Sequence, residues 1–243
     1  MDITRWRIDN YNERGHPLSM IVLHATATDT VQESVDCFLK NETSCHYIVD
    51  RNGEIFSLVP EDKRAWHAGT GFEKSAWHDL DDINSRSIGI EFQSPYPFTF
   101  TKEQIDAGIC LLKDILKRHP EIKPWSILAH SDIAPHRKED PGMEFPWEQL
   151  GKNGIGLFPK TLKKAPKDLD IQATLSAIGY RPDLYGRLFC ERAFSEHFIG
   201  KTNRDFSDTL YTTSLLFNQK ENNDTRNRLK GSYPPNKGST RSY

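Results

Sequence analysis

The chain has 243 residues, of which 36% are hydrophobic and 11% aromatic, enough for one domain of ordinary size and a small second one. Its 32 basic and 34 acidic residues give a formal net charge of −2, so the charge favours neither nucleic acid nor an anionic membrane as a partner. No apolar run approaches the ~20 residues of a membrane-spanning helix, and the opening MDITRWRIDNYNERG lacks the apolar core of a signal peptide. These properties predict a soluble globular protein.

The four cysteines are Cys37, Cys45, Cys110 and Cys190. Their spacing is irregular and contains no CxxC pair, so it matches neither a disulfide framework nor a zinc ribbon. We therefore expect buried or idle thiols.

The first predicted elements are a strand and a helix. Ser19 to Leu23 (SMIVL) form a short apolar run that ends at His24, which is typical of a buried strand with a polar residue at its end. Thr30, with Glu33 three residues later, forms a capping box. The apolar residues behind it recur at helical spacing on one face: Val31, Val35, Phe38 and Leu39. A helix is therefore expected directly after the first strand.

A hairpin and a long loop follow. His46 to Val49 and Ile55 to Val59 are strand-like, and Asn52-Gly53 between them is the signal for a tight hairpin turn. Ala65 to Asp82 is rich in Trp, His, Gly and acidic residues without a clean period. This composition predicts a long surface loop, and such loops are often functional.

Three further elements complete a predicted sheet-and-helix domain. Ser87 to Phe92 (SIGIEF) is a strand interrupted by Glu91. Thr101 and Gln104 form a second capping box before an amphipathic helix. Trp125 to Ala129 (WSILA) then has the character of a buried strand. The order strand, helix, hairpin, strand, helix, strand predicts an α/β fold, a mixed central β-sheet covered by helices.

The polar stretch after that strand is AHSDIAPHRKEDPGMEFPW, residues 129–147. His130 follows the strand directly, where a side chain can open into a cleft. The prolines and glycine of the stretch prevent a helix and favour an ordered loop. Asp140 is held in front of Pro141, whose ring biases the preceding backbone toward an extended conformation. The stretch is too polar for a core and is predicted to be a functional site.

The last part of the chain has a different pattern. Residues 151–167 are rich in Gly, Lys and Pro and are predicted to be a linker. Short helical segments are expected at 169–178, 184–198 and 206–217, which form a small all-helical module. The polar residues beyond them predict disorder. The predicted divisions are a domain at 1–160, the helical module at 165–218 and a disordered tail at 219–243.

Three side chains from the predicted strand ends and the polar loop suit one metal ion. His24 and His130 offer imidazole nitrogens and Asp140 a carboxylate, the ligand set of a catalytic zinc site with an open fourth position. Zinc in such a site lowers the pKa of water to about 7 and polarises a carbonyl, which favours hydrolysis of an amide or ester. Glu91, a charge inside an apolar strand, is the candidate proton shuttle, and Lys138 could place positive charge near an oxyanion.

Other interpretations of these residues remain open. An isolated His at a strand end is often only a hydrogen-bonded residue, and an Asp before Pro is often a turn former. His130-Ser-Asp132 also imitates the HxD pair of a facial-triad iron site, with His197 as the distal ligand. His197, however, lies in the helical module beyond the predicted linker.

Five segments together resemble the type 2 N-acetylmuramoyl-L-alanine amidases, zinc amidases related to peptidoglycan recognition proteins. The segments are VLHAT at 22–26, SCHYIVDRNGEI at 44–55, RAWHAG at 64–69, SIGIEF at 87–92 and AHSDIAPHRKEDPG at 129–142. The resemblance implies that His24, His130 and Asp140 bind zinc. It also implies that Glu91 is the catalytic acid/base and that Lys138 assists at the oxyanion. The implied reaction is hydrolysis of the amide between the lactyl group of N-acetylmuramic acid, including 1,6-anhydro forms, and L-alanine of the peptidoglycan stem peptide.

The resemblance also carries expectations about the setting of the reaction. Such a hydrolase acts in bacterial peptidoglycan catabolism, cell wall remodelling or muropeptide recycling, with peptidoglycan or muropeptides as its partner. The substrate implies the cell envelope (periplasm), and the cytoplasm is the alternative because no signal peptide is visible. The alternative function is a non-catalytic peptidoglycan-binding recognition module on the same fold. The presence of all three ligand candidates and Glu91 favours the enzyme.

The segments FPWEQL and GIGLFP, followed by the helical module, are most similar to the AmiD subgroup of these enzymes. In that subgroup the module is similar to a three-helix peptidoglycan-binding domain. If it binds polymer here, deletion of residues 165–243 should reduce activity on intact sacculi and spare activity on soluble muropeptides. The alternative is a helical extension that only buries one face of the catalytic domain.

Three further residues are predicted to bind the substrate. His67 lies on the long loop and could line the cleft, and Trp66 offers a flat face for sugar or peptide packing. Arg137 could pair bidentately with a stem-peptide carboxylate. Trp77 and Arg86 are further candidates for these two kinds of contact.

Overall fold

A computed structural model of the chain describes residues 2–69, 75 and 77–231, with side chains described as far as Lys220. Its strands are β1 (Ile3–Arg5), β2 (Tyr11–Glu13), β3 (Met20–Ala25), β4 (Tyr47–Val49), β5 (Ile55–Ser57), β6 (Lys63–Ala65), β7 (Ser87–Phe92) and β8 (Ile127–Ala129). Its helices are α1 (Val31–Lys40), α2 (Ile83–Arg86), α3 (Lys102–Arg118), α4 (His130–Ile133), α5 (Trp147–Lys152), α6 (Ile171–Ile178), α7 (Pro182–Tyr185), α8 (Arg187–Phe198) and α9 (Phe206–Gly231).

The centre of the fold is one mixed sheet with the strand order β1-β5-β4-β7-β3-β8. β3 lies between β7 and β8 and pairs parallel with both, and β7 also pairs parallel with β4. β4 and β5 form the expected antiparallel hairpin, in which Gly53 has the positive φ of 87° that its turn requires. The predicted α/β fold with a mixed sheet covered by helices is confirmed.

Alternation of side chains along β3 separates the two faces of the sheet. Ile21 and Leu23 enter a core that also contains the apolar side of α3, and Val22 enters a second core on the opposite face. Because successive side chains of a strand point to opposite faces, His24 leaves the sheet on the face of Val22. The strand pattern therefore directs this histidine away from α3.

Strand β7 has the same alternation. Ile90 and Phe92 enter the core that contains α3, so Glu91 between them faces the other way. The parallel register pairs Glu91 with His24. Strand pairing thus places these two polar side chains on one face of the sheet, near its carboxyl-terminal edge.

The C-terminal helices cover the face of the sheet that carries His24. Leu175, Tyr180 and Phe194 from this part of the chain share one hydrophobic cluster with Val22 of β3 and Leu128 of β8. The predicted all-helical C-terminal module is present. Its shared core favours the interpretation as a helical extension that buries one face of the sheet domain.

The second predicted helix of this module is divided at Gly186. This residue has φ +90° and lies between α7 and α8. A left-handed residue interrupts the run of helical backbone angles, so one predicted segment becomes two helices. The first helix, α6, begins at Ile171 because the Asp170 side chain accepts the N–H of Ala173 as its N-cap.

Helix α9 continues to Gly231, so residues 219–231, which the composition assigned to a disordered tail, are helical. Extending an existing helix avoids the cost of nucleation. The rest of the predicted tail and part of the predicted loop at 65–82 lie outside the described residues. No helix in the described ranges is long and apolar enough to cross a bilayer.

Candidate metal centre and cleft

Three ligand atoms converge near the carboxyl-terminal edge of the sheet. His24 is near the end of β3, His130 opens α4 directly after β8, and Asp140 lies in the loop beyond α4. The two histidine Nδ1 atoms are 2.9 Å apart. Asp140 Oδ2 lies 3.3 Å from the Nδ1 of His24 and 3.1 Å from that of His130. Within the described ranges, these three residues form the group of His, Cys, Asp and Glu side chains that could hold a metal ion. They are called the metal group below.

The spacing and protonation of the group fit zinc. Ligand atoms about 2.0–2.1 Å from a tetrahedral zinc lie about 3.3 Å from one another, close to the observed separations. Burial lowers the pKa of His130 to about 4, so its imidazole is neutral at neutral pH. Burial alone would raise the pKa of Asp140, but its contacts with His130 and His24 hold that pKa well below the usual range. Neutral imidazole and ionised carboxylate are the forms that bind metal.

Glu91 lies beside this group. It is the register partner of His24 and is only 8% exposed. Burial raises the pKa of Glu91 to about 7, although His24 and Lys138 oppose the shift and the charge of Asp140 adds to it. A carboxyl group with such a pKa can both accept and donate a proton near neutral pH.

The loop that follows α4 closes on itself and returns Asp140 to His130. The Ser131 N–H donates to Asp140 O at 3.0 Å, and the Lys138 N–H donates to Ala134 O at 3.0 Å. These backbone bonds hold the turn that the prolines and glycine of the segment favour. Lys138 lines the cleft from this turn.

A further histidine contacts His24 at Nε2, the ring nitrogen that does not face His130 and Asp140. His67 Nδ1 lies 3.0 Å from His24 Nε2, and His67 Nε2 lies 3.2 Å from Ser87 Oγ. A Cβ on Gly89 would come within 2.4–2.6 Å of the His67 ring, so glycine leaves room for the ring. Burial, together with His24 and other neighbouring histidines, lowers the pKa of His67 well below its usual value. His67 therefore touches the metal group as a neutral imidazole, and it also lines the cleft.

Asn84 fixes the backbone around His67. Its Oδ1 accepts the N–H groups of His67 at 3.0 Å and Ala68 at 2.7 Å, and its Nδ2 donates to Gly69 O at 2.8 Å. Asn84 was not predicted from the sequence, because a single Asn ahead of a predicted strand has no periodic or motif signal. Only the folded chain shows which backbone groups it satisfies.

The cleft in front of the metal group has aromatic and basic lining. Trp66, Phe98 and Arg137 belong to this lining, together with Lys138. The Trp66 Nε1 donates to Asn12 Oδ1 at 2.8 Å, which orients the indole. The Arg137 Nη2 donates to Ala68 O at 3.0 Å. The three residues predicted to bind substrate therefore all line the cleft.

A family model described as N-acetylmuramoyl-L-alanine amidase (Amidase_2) matches residues 14–143, a little over half of the chain. The chain belongs to this amidase family. The matched residues include all three members of the metal group and Glu91. The family expected from the sequence motifs is confirmed.

Curated relatives within the amidase family match the same part of the chain. N-acetylmuramoyl-L-alanine amidase AmiD of Escherichia coli (strain K12) is 41% identical over 158 residues, 58% of this chain and 55% of that protein. The 1,6-anhydro-N-acetylmuramyl-L-alanine amidase AmpD of Enterobacter cloacae is 38% identical over 107 residues, 44% of this chain and 54% of that protein. The matched region spans about half the length of these relatives.

Solved structures from the family extend the likeness to the helical module. AmiD from E. coli, in complex with the substrate anhydro-N-acetylmuramic acid-L-Ala-D-gamma-Glu-L-Lys, has a TM-score of 0.69 and 34% identity. That match covers 83% of this chain and 89% of the AmiD chain. AmpDH3 from Pseudomonas aeruginosa, in complex with anhydromuramic pentapeptide, has a TM-score of 0.67 and 31% identity over 84% of this chain and 92% of its own.

Two residues that the sequence suggested for substrate contact, Trp77 and Arg86, are not among the residues that line the cleft. Trp77 is buried in the core shared with the helical module, where its ring centroid lies 5.2 Å from that of Tyr180. The Arg86 Nη2 donates to Asp81 Oδ1 at 2.7 Å. Apolar packing and a local ion pair therefore account for these two side chains.

The iron-site alternative is not supported by the geometry of the described residues. Asp132 Oδ2 lies 2.6 Å from His197 Nδ1, so the two residues of the imagined triad do meet. They do not belong to the metal-capable group, in which His130 is joined by His24 and Asp140. In this amidase fold the Asp132–His197 pair is a buried contact between α4 and α8.

Proposed function

We propose that the protein is a zinc-dependent N-acetylmuramoyl-L-alanine amidase. The proposed reaction hydrolyses the amide bond between the lactyl group of N-acetylmuramic acid and L-alanine of the stem peptide. The observation that carries the proposal is the convergence of His24, His130 and Asp140 beside buried Glu91 in an open cleft. Family membership supports the same chemistry.

The three converging side chains would hold the zinc ion. Bound there, zinc would supply Lewis acidity toward the substrate carbonyl and toward water. Glu91 accepts a proton from the attacking water and delivers it to the nitrogen of the leaving L-alanine. The C–N bond breaks, and the products are the lactyl carboxylic acid and a peptide with a free amino terminus. The pKa of Glu91 near 7 suits both transfers at neutral pH.

Lys138 is proposed to stabilise negative charge that develops on the carbonyl oxygen. It lines the same cleft as Glu91 and the three candidate metal ligands. A positive charge near a developing oxyanion stabilises the transition state more than the substrate. The neighbouring Arg137 is proposed to pair with a carboxylate of the stem peptide.

His67 and Trp66 are proposed to act at the edge of the reaction centre. A residue that contacts the free nitrogen of a metal-binding histidine orients that histidine, and His67 holds this position against His24 Nε2. Trp66, oriented by Asn12, offers an aromatic face to sugar or peptide. Both side chains line the cleft.

The substrate range is proposed to include 1,6-anhydro forms, as the substrate-bound AmiD and the ligand-bound AmpDH3 structures suggest. We propose the cell envelope as the compartment if intact peptidoglycan is the substrate, and the cytoplasm if released muropeptides are. Fractionation of cells that express the full-length protein tests this assignment. Peptidoglycan binding by residues 165–218 remains a prediction, and the shared hydrophobic core supports a structural role for the same residues.

Digestion of purified sacculi and of soluble anhydro-muropeptides, with products identified by mass, tests the proposed reaction. The zinc-loaded protein should release stem peptides that begin with L-alanine and leave sugars without peptide. Protein stripped of metal by a chelator should release neither, and activity should return when zinc is added. Binding of muropeptides without any peptide release by the zinc-loaded protein would instead establish the non-catalytic recognition function.

A further inference from the structure

We propose that Arg192 of α8 is a positioning residue for the loop that carries Lys138 and Asp140. The inference rests on the proposed function for the role of that loop. It assigns to the C-terminal helices a task at the reaction centre, which is to hold the geometry of residues that bind metal and substrate.

The guanidinium of Arg192 contacts the loop at three acceptors. Its Nη2 donates to Pro135 O at 2.6 Å and to Lys138 O at 3.0 Å, and its Nη1 donates to Glu139 Oε1 at 2.5 Å. Two of the acceptors are backbone carbonyls, so the contact constrains the path of the main chain. Charge-assisted bonds from a rigid planar fork are stronger and more directional than neutral ones.

These contacts bear directly on Asp140. Arg192 holds the two residues that immediately precede it in the chain, Lys138 and Glu139. On its other side, the carbonyl of Asp140 accepts the Ser131 N–H at 3.0 Å. The carboxylate of Asp140 is therefore aimed by a main chain that is fixed from two directions. Loss of the Arg192 contacts should remove one of these two constraints on the main chain.

A second contact from α8 holds α4, the helix that leads into this loop. His197 Nδ1 lies 2.6 Å from Asp132 Oδ2, and the Tyr180 hydroxyl donates to Asp132 Oδ1. The same Oδ2 accepts the N–H of Ala129, the residue before His130, at 2.7 Å. Asp132 is fully buried, so its carboxylate depends on these partners. The segment that supplies two members of the metal group is thus held at both ends by α8.

Arg192 is the better place to test the proposal, because Asp132 and its partners are too deeply buried. Removing one partner of a buried carboxylate destabilises a fold strongly, and unfolding would obscure any effect on the loop. The Arg192 side chain is 34% exposed, so its truncation leaves no large cavity, and its further contact with Glu196 Oε1 is a long one, at 3.9 Å. Arg187 provides a matched control, since it lies on the same helix and, among the described residues, its ion pair is with Glu191 of that helix, at 2.5 Å.

The experiment compares Arg192→Met, Arg192→Lys and Arg187→Met in the full chain. Zinc affinity is measured by competition with a chelator, and amide hydrogen exchange of residues 131–142 is measured by mass spectrometry on the metal-free protein. We expect zinc to bind about 10-fold more weakly to Arg192→Met, with faster exchange confined to this segment. Arg192→Lys should be intermediate, because one ammonium cannot replace the planar fork. Arg187→Met should match the wild type.

Equal zinc affinity and equal loop exchange in Arg192→Met and Arg187→Met would overturn the proposal. It would also be overturned if exchange rose uniformly along the chain, since that result means a loss of general stability. The exchange measurement needs neither zinc nor substrate, so it separates this proposal from the proposed function. A wild-type protein that binds zinc without cleaving the amide would refute the amidase function. The positioning role of Arg192 would still be tested by the hydrogen-exchange measurement.

Discussion

His24 and Glu91 are register partners on the parallel strands β3 and β7, and their side chains leave the same face of the sheet. Strand pairing alone therefore sets a member of the metal group beside a buried carboxyl group. Functional groups mounted on paired strands are held more firmly than groups on loops. The proposed proton shuttle is thus preorganised before substrate binds.

Replacing Glu91 with Gln should keep the fold and the metal but abolish most of the turnover. The amide fills the same space and cannot exchange a proton, and groups of this kind typically contribute about 10²–10⁴-fold. Zinc content and the rate of release of stem peptide measure the two effects separately. Near-normal turnover in this variant would assign the proton transfer to another residue.

Replacing Asp140 with Ala should remove zinc from the protein as purified. The change leaves two imidazoles, and a structural or catalytic zinc site normally needs at least three protein ligands. Metal analysis after dialysis is the measurement. Asp36→Ala, which removes an exposed carboxylate on α1, is the control and should keep its zinc. Undiminished zinc in the Asp140 variant would exclude this residue from the site.

Replacing Gly89 with Ala should weaken zinc binding without touching any member of the metal group. The added methyl would lie 2.4–2.6 Å from atoms of the His67 ring, so the ring must shift, and its 3.0 Å contact with His24 Nε2 should be disturbed. Overpacking of this kind typically costs about 1–3 kcal/mol in stability. Gly15→Ala is the matched control, because its Cβ would meet nothing closer than 3.7 Å. Zinc titration and thermal unfolding of both variants decide whether His67 supports the centre.

Deletion of residues 165–243 should leave a protein that is insoluble or unfolded. An independent polymer-binding module would let activity on soluble muropeptides survive this deletion, but the hydrophobic core that the module shares with the sheet predicts otherwise. A point substitution tests the same packing: Leu175→Ala should cost about 2–5 kcal/mol, because Leu175 is fully buried. Leu184→Ala, 56% exposed in the same module, should cost less than about 0.5 kcal/mol. A truncated protein that is soluble and active would instead support the interpretation of residues 165–218 as an independent module.

Glu196 should make the stability of the fold depend on pH. Burial raises the pKa of Glu196 from 4.5 to about 7, although the charge of Arg192 opposes the shift. The folded protein then binds this proton more tightly than the unfolded chain does. The resulting stabilisation is fully present below about pH 4 and is lost as the pH rises through about 7.

The free energy of unfolding of the wild type should therefore fall between about pH 5 and about pH 8 by on the order of 2 kcal/mol more than that of Glu196→Gln. Denaturant unfolding at the two pH values measures the difference. Glu191→Gln, on the same helix, controls for the loss of one negative charge. Identical pH dependence in the wild type and in Glu196→Gln would show that Glu196 does not titrate in this range.

Local signals in the sequence were sufficient for the order of most strands and helices. Capping boxes at Thr30 and Thr101 and the turn at Asn52-Gly53 are chemical features of short segments, and the structure has both helix starts and the hairpin. The helix predicted at 184–198 is divided at Gly186, because this glycine has a φ of +90°, which no local pattern in the sequence specifies. Composition likewise could not reveal that α9 extends beyond residue 218, since an existing helix lowers the cost of further turns.

By itself, the sequence determined the candidate residues for chemistry, because a polar side chain at the end of an apolar run, inside an apolar strand or before a loop proline is a local feature of a few positions. His24 and His130 follow apolar runs, Glu91 interrupts one, and Asp140 precedes Pro141 in a polar loop; the structure brings all four together. Only the tertiary structure decided what holds them. The contacts of His67 with His24, of Asn84 with Gly69 and of Arg192 with the loop before Asp140 each join parts of the chain without a common motif. Such contacts depend on how whole helices and strands pack in three dimensions, so the residues that make them follow no periodic pattern in the sequence.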